Sequence, residues 1–223
     1  FEDNKGTFWI GTWKNGIQKM NRDQGTFESA FSESELPEIY KRIDMSNTGL
    51  IYDYITCITE DITGKIWFGT YVSGLYCYDP ENKKTTYFNG TENSSSGFSD
   101  SGARTAFNSR DGILWVGSRD GNIYYIDPSI KNIEHTSVSG SSVSSFYEEQ
   151  NGDFWIGTRN EILRMIKNSG VTKHYTTDDY ILNAPNSLGY MVYCDRKGNI
   201  WVGTTESLNR FDKIGRASCW EKM

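Results

Sequence analysis

Short apolar runs separated by polar turns recur along the whole chain, and one ten-residue pattern returns five times. Each copy begins with an acidic or hydroxyl residue and has Gly at its fourth position. An apolar residue, Trp, another apolar residue, Gly and a Thr or Ser complete it. The tryptophans of the five copies are Trp9, Trp67, Trp115, Trp155 and Trp201. They lie 40 to 58 residues apart, a period typical of repeat architectures.

The residue types of this motif fit a tight turn followed by a β-strand. An Asp can hydrogen-bond the backbone of its own turn, and Gly adopts the positive φ that other residues resist. The stretch after the turn, such as Lys65–Thr70, is rich in strand-forming residues. The Gly that follows each Trp leaves room for a neighbouring backbone or a large ring. We therefore expect a hairpin turn and the strand that follows it.

Three further runs of strand-forming residues accompany the motif. One precedes it in four units, at Ile55–Glu60, Arg104–Asn108, Ser144–Glu148 and Met191–Cys194. Another follows it in all five, at Ile17–Met20, Leu75–Tyr78, Ile123–Ile126, Ile162–Met165 and Leu208–Phe211. The last comes after one more turn in four units, at Thr26–Glu28, Thr85–Phe88, Glu134–Thr136 and Thr172–Tyr175. Four short antiparallel strands per repeat are typical of a β-propeller blade.

The repeats predict an all-β fold, with a partial β-propeller over residues 1–212. Its blade motifs lie near residues 3–28, 50–88, 103–136, 143–175 and 187–212. The first unit lacks a leading strand and the last lacks a fourth. We therefore expect about four and a half four-stranded blades, an incomplete ring cut from a longer protein. A β-sandwich is the alternative, but sandwiches do not repeat one turn-and-Trp motif at this period.

The tail at residues 213–223 departs from the repeat. A turn and a fourth strand are expected after Phe211, but the sequence continues with Ile-Gly-Arg-Ala-Ser-Cys-Trp-Glu-Lys from Ile214. We interpret the tail as non-native, the translated read-through of a sequencing adapter, because it resembles the peptide that a common adapter encodes. A divergent natural loop is the alternative.

Composition excludes several classes of protein. The net charge of −6 disfavours a general nucleic-acid binder, because neutralising phosphates needs clustered Lys and Arg. Aromatic residues make up 14% of the chain, whereas disordered chains are poor in aromatics. No apolar run approaches the roughly 18 residues of a membrane-spanning helix, and no signal peptide is visible.

The motif resembles the two-component regulator propeller repeat. Asp61, Gly64, Ile66–Thr70 and Gly74–Asp79 follow the consensus of that family closely. The resemblance extends from residue 1 to about residue 212. Later units depart from the consensus: Glu161 and Ser207 stand near the position where the consensus has its second Gly.

The resemblance implies the sensor region of a hybrid two-component system from a polysaccharide-degrading bacterium. Such a region is periplasmic, is joined through the inner membrane to a histidine kinase and response regulator, and binds an oligosaccharide without catalysis. We accordingly expect further blades and a membrane-linked kinase in the same chain, a dimeric full-length protein, and no nucleic-acid partner for this region. Two alternatives remain open: a propeller lyase of the streptogramin lyase type, and a secreted protein-interaction propeller.

Candidate ligand contacts lie in the loops between the second and third strands. In a propeller these loops meet the between-blade connections on one face, where ligands usually bind. Aromatic rings cover the apolar face of a sugar, and basic groups at the rim of an acidic protein suit an anionic oligosaccharide. The candidates are Trp13, Lys14, Tyr71, Arg119 and Arg159, together with Tyr40, Tyr52 and Tyr54 of the first between-blade loop.

The sequence offers little for catalysis or metal binding. Only His135 and His174 are present, 39 residues apart, and no Cys-x-x-Cys occurs. Cys57 and Cys77 are expected on the first and third strands of one blade, which are not neighbours. We therefore predict no catalytic residue, no metal site and no cofactor, with the cysteines packed as free thiols.

Overall fold

The computed structural model shows five antiparallel β-sheets, each built from strands that are adjacent in sequence. It describes residues 1–13, 16–31, 54–88, 97, 98, 100, 102–129, 132–138, 141–167, 172–175, 191–205, 207–211 and 217–222. We number the sheets blades 1 to 5 in chain order. Within these residues there is no helix, and hence none long and apolar enough to cross a membrane.

Blade 1 has three strands and the other blades have four. Blade 1 contains β1 (Phe8–Gly11), β2 (Ile17–Asn21) and β3 (Thr26–Ser29). Blade 2 contains β4 (Ile55–Glu60), β5 (Ile66–Thr70), β6 (Leu75–Asp79) and β7 (Lys84–Phe88). Blade 3 contains β8 (Ala103–Asn108), β9 (Leu114–Ser118), β10 (Asn122–Asp127) and β11 (Asn132–Ser137). Blade 4 contains β12 (Val143–Glu148), β13 (Phe154–Thr158), β14 (Ile162–Met165) and β15 (Thr172–Tyr175). Blade 5 contains β16 (Met191–Cys194), β17 (Ile200–Gly203), β18 (Ser207–Phe211) and β19 (Ala217–Lys222).

The predicted fold class is confirmed, because every predicted strand run falls on a strand of the expected sheet. One expectation about strands is wrong: blade 5 does have a fourth strand. β19 pairs antiparallel with β18, from Phe211 opposite Ala217 to Ser207 opposite Lys222. Strand pairing uses backbone groups that any extended segment supplies, so the origin of the tail as adapter read-through stays a prediction.

The described strands form two compact units, each with its own core. The first contains residues 1–119 and 123–136, and the second contains residues 120–122 and 137–223. In the first unit, Trp9 packs with Tyr78 between blades 1 and 2, and Trp67 packs with Ile126 between blades 2 and 3. In the second unit, Trp155 packs with residues of blade 5. In both units the repeated Trp therefore belongs to the core between successive blades.

The second strand of blade 2 is buried on both faces, and this explains its unbroken apolar run. On β5, Ile66 and Phe68 pack with Trp9 of blade 1. The intervening Trp67 packs with Leu114 of blade 3. All five residues of β5 are buried.

The turn before this strand is stabilised through its acidic residue. Gly64 has φ of 81°, as predicted. The Asp61 carboxylate accepts the backbone N–H groups of Thr63 at 2.7 Å and Lys65 at 3.2 Å. Its Oδ2 also accepts the indole N–H of Trp67 at 2.6 Å, a bond that the sequence did not lead us to expect. The acid of the turn therefore holds the core Trp in place.

The acid–indole bond recurs in three other blades. Donor–acceptor distances are 2.8 Å for Trp9–Asp3, 2.5 Å for Trp155–Glu149 and 2.9 Å for Trp201–Asp195. Blade 3 has Ser109 at the position of the acid. The Ser109 hydroxyl bonds the backbone oxygen of Ile113 at 2.8 Å, so blade 3 keeps the turn with a different side chain.

The Gly after the Trp allows the close approach that its position predicted. A Cβ on Gly69 would lie 2.7 Å from the Cys57 sulfur and 2.9 Å from the backbone oxygen of Ala103. Cys57 lies on β4 and Cys77 on β6, with β5 between them. Both are free thiols, as predicted.

Candidate functional site

The loops between the second and third strands are fixed by the hydroxyl residue that ends the motif. In blade 2, the backbone N–H and the Oγ1 of Thr70 both bond the oxygen of Gly74 at 3.0 Å. The same hydroxyl accepts the N–H of Ser73 at 3.0 Å. Thr12 bonds Gly16 in the same way in blade 1. Each loop is short and pinned, so the residue after the hydroxyl is held at a defined place.

Four of the predicted site residues occupy this one place in the repeat. Trp13, Tyr71, Arg119 and Arg159 each lie four residues after the Trp of their own blade. Three of these belong to the first unit, and Arg159 belongs to the second. Lys14 lies outside the described residues, as do Tyr40 and Tyr52.

In the first unit these positions form a continuous row of stacked side chains. The Trp13 ring stacks on Tyr54, with centroids 4.8 Å apart and planes 15° apart. Tyr54 stacks on Tyr71 at 4.6 Å and 24°. The guanidinium carbon of Arg119 lies 4.5 Å from the centre of the Tyr71 ring, and that of Arg104 lies 5.8 Å from it. We call Trp13, Tyr54, Tyr71 and Arg119 the rim row.

The backbone between neighbouring blades fixes the rim row. The N–H of Ile55 bonds the oxygen of Thr12 at 3.2 Å, which joins blade 2 to the loop of blade 1. The N–H of Tyr71 bonds the oxygen of Tyr54 at 3.1 Å. These bonds bring Tyr54, which comes from the between-blade connection, next to Tyr71. Its place in the row depends on this pairing and not on the repeat offset.

Gly102 allows the third blade to approach the rim row. It forms a bridge with Gly74 and accepts the N–H of Arg119 at 3.1 Å. A Cβ on Gly102 would lie 2.2 Å from the backbone oxygen of Tyr71, far inside the contact distance of real Cβ atoms. Only Gly fits at this point, and the close approach sets Arg119 against the Tyr71 ring.

The members of the rim row differ in how they can meet a ligand. Trp13 is 71% exposed, so much of its indole is open to solvent. Tyr54 and Tyr71 are half-buried, and Tyr71 contacts Tyr54 and Arg119. Arg119 is exposed, and its fixed fork of N–H groups can bond hydroxyl, carboxylate or sulfate oxygens. The arrangement offers a ring surface at one end and hydrogen-bond donors at the other.

In the second unit, Arg159 is exposed and its backbone is held. Its N–H bonds the oxygen of Ser142 at 2.8 Å, just as Arg119 bonds Gly102. The Thr158 hydroxyl bonds the oxygen of Glu161 at 2.9 Å. Arg159 is therefore presented by the same kind of pinned loop as Tyr71, although Glu161 replaces Gly at the end of that loop.

Groups for metal binding or catalysis are sparse in the part of the chain that the structure describes. It contains no group of three or more His, Cys, Asp or Glu that could hold a metal ion. His174 bonds Glu161 at 2.8 Å on an exposed surface. His135 lies against the ring of Tyr124, with centroids 5.4 Å apart.

These features define a repeat propeller whose loops present aromatic and basic side chains, and its motif matches a known family. The family model of the two component regulator propeller matches residues 49–72, 137–160 and 185–206. These segments carry the first strand, turn and second strand of blades 2, 4 and 5. The resemblance drawn from the motif is confirmed for these three segments, which match the model of the two component regulator propeller.

Solved structures share the fold. The extracellular domains of the putative hybrid two component systems BT4673 and BT3049 from B. thetaiotaomicron match with TM-scores of 0.74 and 0.70. Their sequences are 17% and 19% identical to this chain. The matches cover 100% and 97% of this chain, but 29% and 27% of theirs. The chain therefore spans less than a third of the length of these relatives.

A propeller enzyme is also similar in fold. A catalytically inactive virginiamycin B lyase from Staphylococcus aureus, solved with quinupristin, matches with a TM-score of 0.59 and 17% identity. The match covers 78% of this chain and 58% of the lyase. A search of the curated proteins finds no match.

Proposed function

We propose that this chain is part of the extracytoplasmic sensor propeller of a hybrid two-component system and binds an oligosaccharide at the rim row without catalysis. The rim row is the observation that carries the proposal. Two similar structures are extracellular domains of putative hybrid two component systems, which supports the sensor role and a periplasmic location.

The chemistry of the rim row favours a sugar ligand. The exposed Trp13 indole offers a flat apolar surface to the C–H face of a pyranose. Arg119 offers several donors in a planar fork, which suit ring hydroxyls and suit an acidic substituent better. Arg104 adds a second positive charge beside Tyr71. An oligosaccharide that carries a carboxylate or sulfate would use both ends of the row.

Burial of the repeated positions supports the presence of further blades in the same protein. In blade 4, Ile162 and Trp155 are 0% and 2% exposed because blade 5 covers them. At the equivalent position of blade 5, Leu208 is 36% exposed, and its neighbours Met191 and Tyr193 are 59% and 64% exposed. We infer that another blade of the same repeat packs on this face.

A sensor would transmit ligand binding by changing the relative populations of two arrangements of the protein. The ligand must bind one arrangement of the dimeric sensor more tightly than another, since equal affinity for both shifts nothing. In the proposed full-length protein, that arrangement would be read by a kinase across the inner membrane. The rim row spans loops from three blades, so one ligand there contacts several blades at once.

The test is binding to an array of neutral and uronic-acid oligosaccharides, followed by titration with the oligosaccharide that binds best. Trp13→Ala should weaken binding by about tenfold or more, equivalent to about 1.4 kcal/mol. Arg119→Gln should weaken acidic oligosaccharides more than neutral ones. Phe27→Ala is the matched control, because Phe27 is 57% exposed but lies on β3, outside the rim row.

Binding that is equally tight in the wild-type and Trp13→Ala proteins would contradict the proposed site. Absence of binding to every oligosaccharide, with a metal-dependent turnover of a streptogramin, would favour the lyase alternative. Capture of a single protein partner through the same face would favour an interaction propeller.

A further inference from the structure

A cavity lies between blades 2 and 3, and the repeat itself locates it. We call the packed surface between two successive blades of one unit a seam. In the seams between blades 1 and 2 and between blades 4 and 5, an aromatic ring from the third strand of one blade packs on the Trp of the preceding blade. Tyr78 packs on Trp9 with centroids 5.9 Å apart, and Phe211 packs on Trp155 at 5.4 Å. Both contacts are edge-on, at 61° and 65°.

Blade 3 has an aliphatic residue at the position of that ring. Strand register makes the positions equivalent: Tyr78 pairs with Ile66, Phe211 pairs with Ile200, and Ile126 pairs with Leu114. Ile126 is shorter and narrower than Tyr or Phe. The repeat therefore predicts space beside Trp67 in the seam between blades 2 and 3.

The structure shows a cavity at this place. Its volume is about 380 Å³, within the range of roughly 300–1,000 Å³ typical of small-molecule sites. Trp67 and Phe88 line one side, stacked with centroids 5.5 Å apart and planes 21° apart. Ile126, Pro128 and Ile133 line the other. We call the part of the cavity that these apolar residues line the slot, and a flat ring could lie there against Trp67 and Phe88.

Charged and polar groups also line the cavity, with Lys65, Lys84, Asp79 and Asn82 among them. The Asp79 carboxylate already accepts the N–H groups of Glu81 and Asn82 and the Asn82 side-chain amide. Asp61, which also contributes to the lining, accepts bonds from its own turn and from Trp67. No ion pair between described residues involves either lysine, so an anion would compete only with the nearby Asp61 and Asp79 carboxylates for their ammonium groups.

We propose that this cavity binds a small aromatic carboxylate, with its ring in the slot against Trp67 and its carboxylate at Lys65 and Lys84. A sugar suits the slot poorly, because hydroxyls around its whole perimeter would lie against apolar walls without partners. A flat ring with one acidic substituent matches the separation of apolar walls and cationic groups. This site is distinct from the rim row and does not depend on the proposed sensor function.

The test uses phenylacetate as the probe, with phenylacetamide as its neutral counterpart and the complete chain as the protein. Saturable binding should be seen by calorimetry and by a change in tryptophan fluorescence. Ile126→Phe places a ring in the slot and should weaken phenylacetate by at least about tenfold. Lys65→Gln should weaken phenylacetate by about tenfold and leave phenylacetamide unchanged.

Controls separate occupation of the slot from unfolding. Ile126→Leu keeps the side-chain volume and should leave binding unchanged. Ile126→Met keeps nearly the same volume but reaches further into the slot without adding a ring, and it should weaken binding by less than Ile126→Phe does. The thermal midpoint of Ile126→Phe should not fall, because the equivalent seams accept a ring at this position, Tyr78 against Trp9 and Phe211 against Trp155.

Two results would overturn the proposal. One is the absence of saturable phenylacetate binding with a Kd tighter than about 1 mM. The other is equal affinity of the wild-type protein and folded Ile126→Phe. Either result would leave oligosaccharide binding at Trp13 unaffected, so the two proposals fail separately.

Discussion

The bond between Asp61 and Trp67 should make a large contribution to stability, and replacing Asp61 measures it. Asp61 is 2% exposed, and its carboxylate accepts bonds from Thr63, Lys65 and Trp67. Asp61→Ala removes all of these acceptors. It leaves the indole N–H in a place that water reaches poorly and two backbone N–H groups in a partly buried turn.

The magnitude follows from the number and kind of bonds lost. A hydrogen bond to a charged group contributes about 1.5–3 kcal/mol, and a buried donor left unpaired costs about 1–3 kcal/mol. The backbone donors sit in a turn near the surface, where water can replace part of the loss. We therefore expect Asp61→Ala to lower the free energy of unfolding by about 3–4 kcal/mol. Asp61→Asn, which keeps one acceptor oxygen, should cost about 2 kcal/mol.

A double-mutant cycle isolates the bond to the indole. Asp61→Asn, Trp67→Phe and the double variant are unfolded in urea and followed by circular dichroism, since one variant loses a fluorophore. We expect a coupling energy of about 1.5–3 kcal/mol between the two sites. Ser109→Ala is the comparison for a turn whose hydroxyl bonds its own backbone, and it should cost about 1 kcal/mol.

A coupling energy within about 0.5 kcal/mol of zero would refute the reasoning. The acid would then stabilise only its own turn, and the indole bond found in four blades would not contribute to the free energy of unfolding. A loss from Ser109→Ala as large as that from Asp61→Ala would also contradict it, because the Ser109 hydroxyl bonds Asp111 and the backbone of Ile113 and not the indole.

Three further predictions concern other parts of the repeat. Gly102→Ala should lower the free energy of unfolding by about 3 kcal/mol, because its Cβ would lie 2.2 Å from the Tyr71 oxygen. Gly198, with φ of 80°, would place a Cβ with no neighbour within 4 Å, so Gly198→Ala should cost only about 1 kcal/mol of backbone strain. If urea titrations showed that the two variants lose the same free energy of unfolding, the explanation by crowding at Gly102 would be wrong. Hydrogen bonds from Asn199 and Trp201 lower the pKa of Asp195 below its ordinary value of 3.8. Its stabilising contribution is therefore complete above that value and is lost as the pH falls through the lower folded pKa. Asp195→Asn should make stability depend less on pH between about 5 and 2, and an unchanged acid titration would count against this. Burial raises the pKa of the Cys77 thiol to about 12, so native Cys77 should resist alkylation at pH 8 and react after unfolding; mass spectrometry showing rapid native labelling would disprove it.

The strands could be predicted from the sequence because turn chemistry and strand composition agree in every unit. Asp61 and Gly64 mark one turn, Gly74 marks the next, and the residues between them are strand formers. The fourth strand of blade 5 was missed because the prediction relied on these turn signals, and residues 213–223 do not carry those of the repeat. The edge of β18 pairs with the tail through backbone groups, and these leave no trace in the side-chain pattern.

The site could be predicted only in part. The shared offset from the Trp locates Trp13, Tyr71 and Arg119 on equivalent loops, and that information is in the sequence. Tyr54 has no such offset, because it comes from a between-blade connection of variable length. Its stacking between Trp13 and Tyr71 depends on how the backbone at Thr12 and Tyr54 pairs across blades. The acid–indole bond was missed because turn rules consider the backbone alone.

The repeat separates residues that hold the fold from loop residues that vary between blades. The residue that begins the loop between the second and third strands is Thr or Ser in all five blades, since its hydroxyl is needed to bond the end of the loop. The next position varies from Trp to Tyr to Arg to Arg to Thr along the chain. Because the pinned hydroxyl fixes the backbone, this residue can change without disturbing the blade. Blades 1 to 3 thus carry Trp13, Tyr71 and Arg119 at one offset of the repeat, and this position can change one loop at a time.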